Sequence, residues 1–521
     1  MAGGPRFYIT TPIYYVNDVP HIGHAYTTLA CDALARFMRL DGYDVRFLTG
    51  TDEHGQKIEK SAIAAGLDPK KFTDQVSENF RALSKVMNFS NDDFIRTTEA
   101  RHIRSCQALW LRLKERGEIY LASYAGWYAI RDEAFYGENE LTTRPDGRKL
   151  APSGAEVEWV EEPSYFFRLS AWQDRLLEFY RANPGFIAPE SRRNEVVSFV
   201  SSGLRDLSIS RTSFRWGVPV PDDPDHIMYV WLDALTNYIT AVGYPDTQSG
   251  MYRRYWPADL HMVGKDILRF HAVYWPAFLM AAGLEPPRRV FAHGWWTNEG
   301  QKISKSLGNV IDPVRLVERY NLDPVRYFLL REVPFGADGD FSHRAMVARL
   351  NGDLANDLGN LVQRVLAMIQ RNCEGRIPEP GALTPADETL LGAARSLLGR
   401  LRVEFSAQAY HRALEGLWET VAAANRYVDE QAPWALRKTD PARMATVLYV
   451  LAEVIRRIAV LVQPVVPGAA GAILDQLSVS ADKRRFCDLE DSLKAGITLP
   501  TPRPVFPRYI EPGEASKSGP A

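Results

Sequence analysis

The chain has 521 residues, with 62 lysines and arginines against 64 aspartates and glutamates and a formal net charge of −2. That length exceeds one hydrophobic core and predicts two to four domains. The near-neutral balance excludes a global basic field, so any nucleic-acid partner must be met by local patches and aromatic stacking. Four cysteines, Cys31, Cys106, Cys373 and Cys487, lie far apart with no Cys-x-x-Cys pair, which argues against a disulfide framework and fits a reducing, cytoplasmic compartment. Met1 to Arg6 runs straight into the first apolar stretch, with no secretory start. No run is apolar for long enough to predict a membrane span.

In chain order, Arg6–Thr10 reads as a strand and Ala25–Leu40 as a helix, with Ala30, Leu34 and Phe37 at helical spacing. Val45–Thr49 is a short apolar strand, and Lys57–Ala65, Pro69–Val86 and Glu99–Arg116 read as helices. This alternation predicts a parallel sheet with helices on its faces, whose ligands bind beyond the carboxyl ends of the strands at the switch in strand order. From Glu118 to Trp216 the pattern changes to mixed charges and aromatics, among them Trp127, Tyr128, Phe135, Tyr136, Trp159, Tyr165, Phe166 and Phe167. We read it as an insertion with its own aromatic core. The sheet is expected to resume with Val218–Asp222, the Tyr229–Tyr238 segment, Asp259–Val263 and Val290–His293. Ile267–Gly283 reads as a helix that Pro276 should kink. From Arg344 to Leu461 the runs 345–371, 386–428 and 440–462 are helical throughout and predict a bundle. Pro500–Ala521 is rich in Pro, Gly and Ser and is expected to be mobile or wrapped on the surface.

Two stretches carry chemistry. Pro20-His21-Ile22-Gly23-His24 follows the first strand and opens the first helix. Histidines three apart share a helix face, and a helix start attracts anions through its unpartnered N–H groups and its dipole. Gly23 admits a flat ring or phosphate close to the backbone, so a nucleotide is the expected ligand. Much later comes Gln301-Lys302-Ile303-Ser304-Lys305-Ser306-Leu307-Gly308-Asn309, which suits a mobile cationic loop. Taken alone, the histidine pair is more often a pair of ordinary surface or core residues, and a lone basic loop is more often a solvated face.

Together, in this order, the two stretches resemble the signature motifs of class I aminoacyl-tRNA synthetases. Thr10-Thr11-Pro12-Ile13-Tyr14-Tyr15-Val16-Asn17, Thr49-Gly50-Thr51-Asp52-Glu53-His54-Gly55, Tyr229-Val230-Trp231-Leu232-Asp233-Ala234, Val263-Gly264-Lys265-Asp266-Ile267 and Gln431-Ala432-Pro433-Trp434 narrow the resemblance to the methionyl-tRNA synthetases. It covers the chain to about residue 470. The implied fold is α/β: a Rossmann-type parallel sheet split by a connective-peptide insert, followed by an all-α anticodon-binding helix bundle. The expected boundaries are 1–117 and 217–320 for the halves of the catalytic domain, 118–216 for the insert and 321–345 for a stem-contact segment. The bundle is expected over 346–480 and a tail over 481–521. The family's insert often carries a cysteine zinc knuckle. Here no Cys or His falls between Cys106 and His226, and structural zinc needs thiolate or imidazole ligands, so no structural zinc is expected.

The resemblance implies a two-step reaction: methionine and ATP give methionyl-adenylate, and the ribose at the 3′ end of tRNA(Met), initiator tRNA included, then takes the methionyl group. His21, His24, Lys302 and Lys305 would stabilise phosphate charge. Gly23, His24, Gly264, Asp266 and Lys305 would bind ATP, accompanied by Mg2+. Asp52 would pair with the methionine ammonium. Ile13, Tyr15, Trp231, Ala234, Leu235, Tyr238, Ile267, His271 and Trp275 would line the pocket, where aromatic rings suit a thioether. Asn360, Arg364 and Trp434 fall on the family's anticodon-reading positions. With no appended dimerising domain, a monomer is expected. The rivals are another class I synthetase and a tRNA-binding relative without activity. The first is disfavoured by the absence of room for an editing insertion, and the second by the intact histidine and lysine motifs.

Overall fold

The structure is a computed structural model and describes residues 4–16, 19–132, 134–303 and 308–511. The chain divides into two compact units. One comprises Arg6–Cys31 and Val45–His293; the other comprises Asp32–Asp44 and Gly294 onward, with the first few residues.

The first unit is built on a seven-stranded sheet. Its path runs Ile187–Ala188, Val290–His293, Leu260–Gly264, Arg6–Thr10, Asp44–Asp52, Tyr14–Tyr15, with Asp93–Arg96 also on the Asp44–Asp52 strand. The registered pairings are parallel: Thr10 lies opposite His261, Gly264 opposite His293, and Tyr15 opposite Asp52. Early strands fill one side of Arg6–Thr10 and later strands the other. The order therefore switches between Arg6–Thr10 and Leu260–Gly264, the position at which such sheets bind ligands beyond their strand ends. The Ile22–Leu40 helix starts just after this edge.

Three expectations for this unit are corrected. The Tyr229–Tyr238 segment is not a strand but the Val230–Thr240 helix, ten of whose residues are buried. A stretch buried on every face, with Asp233, Thr236 and Asn237 buried beside its apolar residues, shows no clear period to separate a helix from a strand. Val218–Asp222 lies outside the parallel sheet: Pro219–Val220 pairs antiparallel with Asp223–Met228 in a small separate sheet. Conversely, Ile187–Ala188, inside the expected insert, pairs with Val290–His293 at the edge of the parallel sheet. The expected kink at Pro276 takes the form of a π turn at Phe270–Tyr274, immediately before the Trp275–Ala281 helix. Proline lacks the N–H that would bond Ala272 O, and the Tyr180 hydroxyl donates to that carbonyl at 2.7 Å instead.

The insert is organised by the long antiparallel pair Ile119–Ala129 and Glu158–Phe167. Its aromatics do not form one core. Phe167 joins the main core and meets Phe278 edge-on, while Trp159 is 56% exposed and edges onto Trp127.

In the second unit the Pro385–Ser406, Tyr410–Gln431 and Pro441–Val462 helices form the bundle. The expected 386–428 run is two helices, broken where Gln408 takes a positive φ of 56°. Buried charges are paired here. Arg326 and Asp32 are both fully buried and meet at 2.7 Å, and Arg326 also donates to Val465 O and Pro464 O. The tail as far as Glu511 is strapped down. Phe506 is buried, and Tyr509 exchanges backbone bonds with the Asn351 side chain.

Candidate active site

At the switch-point edge the two signature histidines cap the helix they begin. The Gly23 N–H donates to His21 Nδ1 at 3.1 Å, and the His21 N–H donates to His24 Nδ1 at 3.0 Å. Backbone groups that a helix start leaves unpartnered are thus satisfied by imidazole nitrogens. The rings lie 3.9 Å apart at 36°. With both Nδ1 atoms accepting, each neutral ring carries its proton on Nε2 and offers one N–H. Burial lowers the pKa of both histidines. For His21 the nearby Asp266 charge opposes the shift; for His24 the neighbouring His21 adds to it, and its pKa falls well below the usual histidine value. These are neutral donors at pH 7. His24 is braced edge-on by Tyr14 and Phe80. Gly23 is needed for a nearer reason than ligand approach: a Cβ there would meet His21 Cε1 at 2.9 Å.

Gly264 and Asp266 sit across the switch, at the end of Leu260–Gly264 and in the helical turn Lys265–Ile267. A Cβ on Gly264 would come within 2.5 Å of Asp266 Oδ1. His293, on the adjoining strand, bonds Thr27 Oγ1 through Nε2 at 2.7 Å.

Asp52 ends its strand and is buried. The carboxylates around it are tied up. Glu53 takes both Arg96 Nε and Nη2, at 2.6 and 2.8 Å, and the hydroxyls of Thr51 and Thr98. Asp233 accepts from His54 Nδ1 and His102 Nε2, each at 2.6 Å. Burial pushes the Asp233 pKa up, but the two imidazoles overcome that and hold it far below the ordinary carboxylate range.

The residues expected to line a side-chain pocket lie on two elements. Trp231, Ala234, Leu235 and Tyr238 lie on the Val230–Thr240 helix; Ile267, His271 and Trp275 lie along the helical stretch that contains the π turn. His271 Nδ1 sits 2.9 Å from Ile267 O, an acceptor only, so Nδ1 bears the proton and Nε2 accepts from the Tyr238 hydroxyl at 2.7 Å. Burial lowers the His271 pKa to about 4. Trp231 stacks on Phe270 at 3.7 Å and 8°. Ile13 packs on the main core at the edge of this group, while Tyr15 belongs to a separate small cluster with Lys57 over its ring.

Lys302 is exposed on the short Gln301–Lys302 strand in the second unit. Lys305 lies outside the described residues. Also in the second unit, Asn360 and Arg364 lie on the Asn360–Asn372 helix and Trp434 on the Pro433–Thr439 helix. The Arg364 guanidinium sits 5.7 Å from the centre of the Trp434 ring and bonds Asp429 at 2.9 Å. Trp434 is 49% exposed.

Residues 7–366 match the family "tRNA synthetases class I (M)", and residues 377–515 match "Anticodon binding domain of methionyl tRNA ligase". The chain belongs to the methionyl-tRNA synthetases. Methionine–tRNA ligase of Brucella suis is 60% identical over 98% of this chain and 99% of its own. The corresponding ligase of Mycobacterium tuberculosis (strain ATCC 25618 / H37Rv) is 57% identical over 97% and 98%. Among solved structures, Mycobacterium tuberculosis methionyl-tRNA synthetase in complex with methionyl-adenylate superposes with a TM-score of 0.95. It is 56% identical, and the match covers 97% of this chain and all of that one.

Beside the expected site residues the structure places His54, His102, Asp233, His261, Phe270 and His293, to which the sequence assigned no role, although His54 and Asp233 fall within the motifs Thr49–Gly55 and Tyr229–Ala234. Among the described residues, His102, Cys106 and Asp233 form a group that could hold a metal, outside the insert. All three are buried and already bond one another, with Cys106 Sγ 3.2 Å from His102 Nε2. That is the spacing of a hydrogen-bonded network. No helix among the described residues is long and apolar enough to cross a membrane.

Proposed function

We propose that this methionine–tRNA ligase activates methionine at the strand-order switch. The methionine carboxylate attacks the α-phosphate of ATP, taken as its magnesium complex, and the bond to pyrophosphate breaks. The 3′-terminal ribose hydroxyl of tRNA(Met), initiator tRNA included, then attacks the methionyl carbon and AMP leaves. No protein nucleophile is needed, because positioning and charge stabilisation carry such displacements. His21 and His24 act as neutral Nε2 donors to the phosphates, and Gly264 and Asp266 contact the adenosine. Lys302 and Lys305 bind the leaving pyrophosphate as point charges.

Asp52 takes the ammonium. Ile13, Tyr15, Trp231, Ala234, Leu235, Tyr238, Ile267, His271 and Trp275 enclose the side chain. Asn360, Arg364 and Trp434 read the anticodon, whose unpaired bases can stack on an aromatic and bond along their edges. In this reading the enzyme is a cytoplasmic monomer without structural zinc; metal analysis giving one tightly held zinc per chain would overturn the last point.

The observation that carries the reading is the pair of histidines at the strand-order switch, each held by its Nδ1 on a backbone N–H at the helix start and so carrying its proton on Nε2. ATP–pyrophosphate exchange with a panel of amino acids tests it. Exchange is expected with methionine and not with isoleucine, valine, leucine or cysteine. Exchange driven by one of those others, or by none, refutes it.

A further inference from the structure

His261 stands in the middle of the parallel sheet, on the Leu260–Gly264 strand, and is fully buried. A histidine there hides two polar nitrogens from water, which is costly unless both are bonded. Both are. Nδ1 lies 2.8 Å from Thr10 Oγ1 on the neighbouring strand, and Nε2 lies 3.3 Å from Trp275 Nε1. Indole N–H can only donate, so Nε2 is the acceptor and Nδ1 carries the proton that goes to Thr10. The tautomer is therefore dictated by Trp275. Burial, with the nearby His271 adding to it, lowers the His261 pKa well below the ordinary histidine value, so the ring stays neutral and Nε2 stays an acceptor.

The face of the same ring is also used. Tyr238 stacks on it with centroids 4.1 Å apart at 28°. Tyr238 is held at its other end by His271, and its ring lies 6.1 Å from that of Trp275. One imidazole thus touches two walls of the side-chain pocket, one by its face and one by its edge, and ties both to two central strands.

We propose that His261 is a positioning residue for amino-acid selection: it holds Tyr238 and Trp275 at a fixed separation, and that separation distinguishes methionine from chains lacking the sulfur. This rests on the reading that these aromatics enclose the methionine side chain. An apolar pocket distinguishes near-isosteres by small differences in fit, so its walls have to be rigid. A thioether and a methylene differ mainly in polarisability against aromatic faces, which makes ring placement the lever.

The test uses His261→Phe, which keeps a ring but loses both bonds, and His261→Gln, which keeps an acceptor and a donor but loses the ring. Methionine-dependent exchange is first measured on the native enzyme, with norleucine as the sulfur-free isostere. If the native enzyme is driven by another amino acid, the pocket reading fails before His261 is at issue. With methionine established, His261→Phe should raise the methionine KM about tenfold and His261→Gln about threefold, the scale of one or two buried hydrogen bonds. Both should lower the preference for methionine over norleucine, while kcat and the ATP KM stay within about twofold. Unchanged methionine KM and norleucine preference in a folded variant would overturn the proposal. So would a parallel loss of kcat and of both substrates' KM, which marks a residue that only supports the fold. If His261→Phe does not fold, the His261→Gln values decide by the same criteria.

Discussion

Around Tyr238 the rings meet in a buried layer. The Tyr238 hydroxyl donates to His271, both nitrogens of His261 are engaged, and Trp275 is fully buried with its N–H bonded. On the Arg364–Trp434 face the ring is half exposed, and the guanidinium over it is held by Asp429 at the surface. The difference follows from the ligands each is proposed to meet. A methionine side chain offers little to bond, so selection requires a dry pocket whose shape is set in advance. An unpaired base offers a large face and a polar edge, so an exposed platform that water can share is sufficient. In the pocket, recognition and stability are therefore inseparable, whereas on the platform they are separate.

The sharpest break of this contrast is Trp275→Ala. Removing a fully buried indole should cost about 3–5 kcal/mol of stability and abolish measurable methionine binding; denaturant unfolding and exchange kinetics check the two halves. Stability within about 0.5 kcal/mol of the native enzyme would show that the pocket is not part of the core. Next in size is Asp52→Asn. Losing one charge-assisted contact to the ammonium should reduce kcat/KM for methionine by about 1.5–3 kcal/mol. The ATP KM should hold, and a fall in ATP affinity instead would reassign the residue.

Trp434→Ala should weaken aminoacylation by about 1–3 kcal/mol, the value of one stacked base. Exchange and the melting temperature should stay unchanged, because the ring is half exposed. Loss of all three would turn the platform into a structural element.

The smallest effect is on pH. The folded pKa of His271 is about 4 against an ordinary 6.5, so the unfolded chain binds the proton more readily. Its contribution is complete above pH 6.5 and is lost as the pH falls towards 4. From pH 6.5 to 5.5 this one group should cost about 1 kcal/mol. Urea midpoints of the native enzyme and of His271→Phe at the two pH values measure it; equal pH dependence in both would show that His271 is not the titrating group.

The sequence by itself determined the family and several local elements. Arg6–Thr10 and Pro69–Val86 have their expected limits, because apolar spacing and a proline at a helix start act within a few residues. The His21–Gly23–His24 turn at the start of the first long helix was legible for the same reason: its residue types and spacing are short-range facts. Tertiary structure alone decided what depends on distant neighbours. It made the Tyr229–Tyr238 segment a helix, since a stretch buried on all sides shows no period, and it drew Ile187–Ala188 into the parallel sheet. It also set the tautomers of His21, His24, His261 and His271 and lowered their pKa values. His261 is neutral because burial disfavours its charge, and it keeps its proton on Nδ1, donated to Thr10 251 residues away, because the Trp275 N–H can only donate to Nε2. Proton placement is fixed by the atoms that surround a ring, and those atoms come together only when strands far apart in the chain pair side by side.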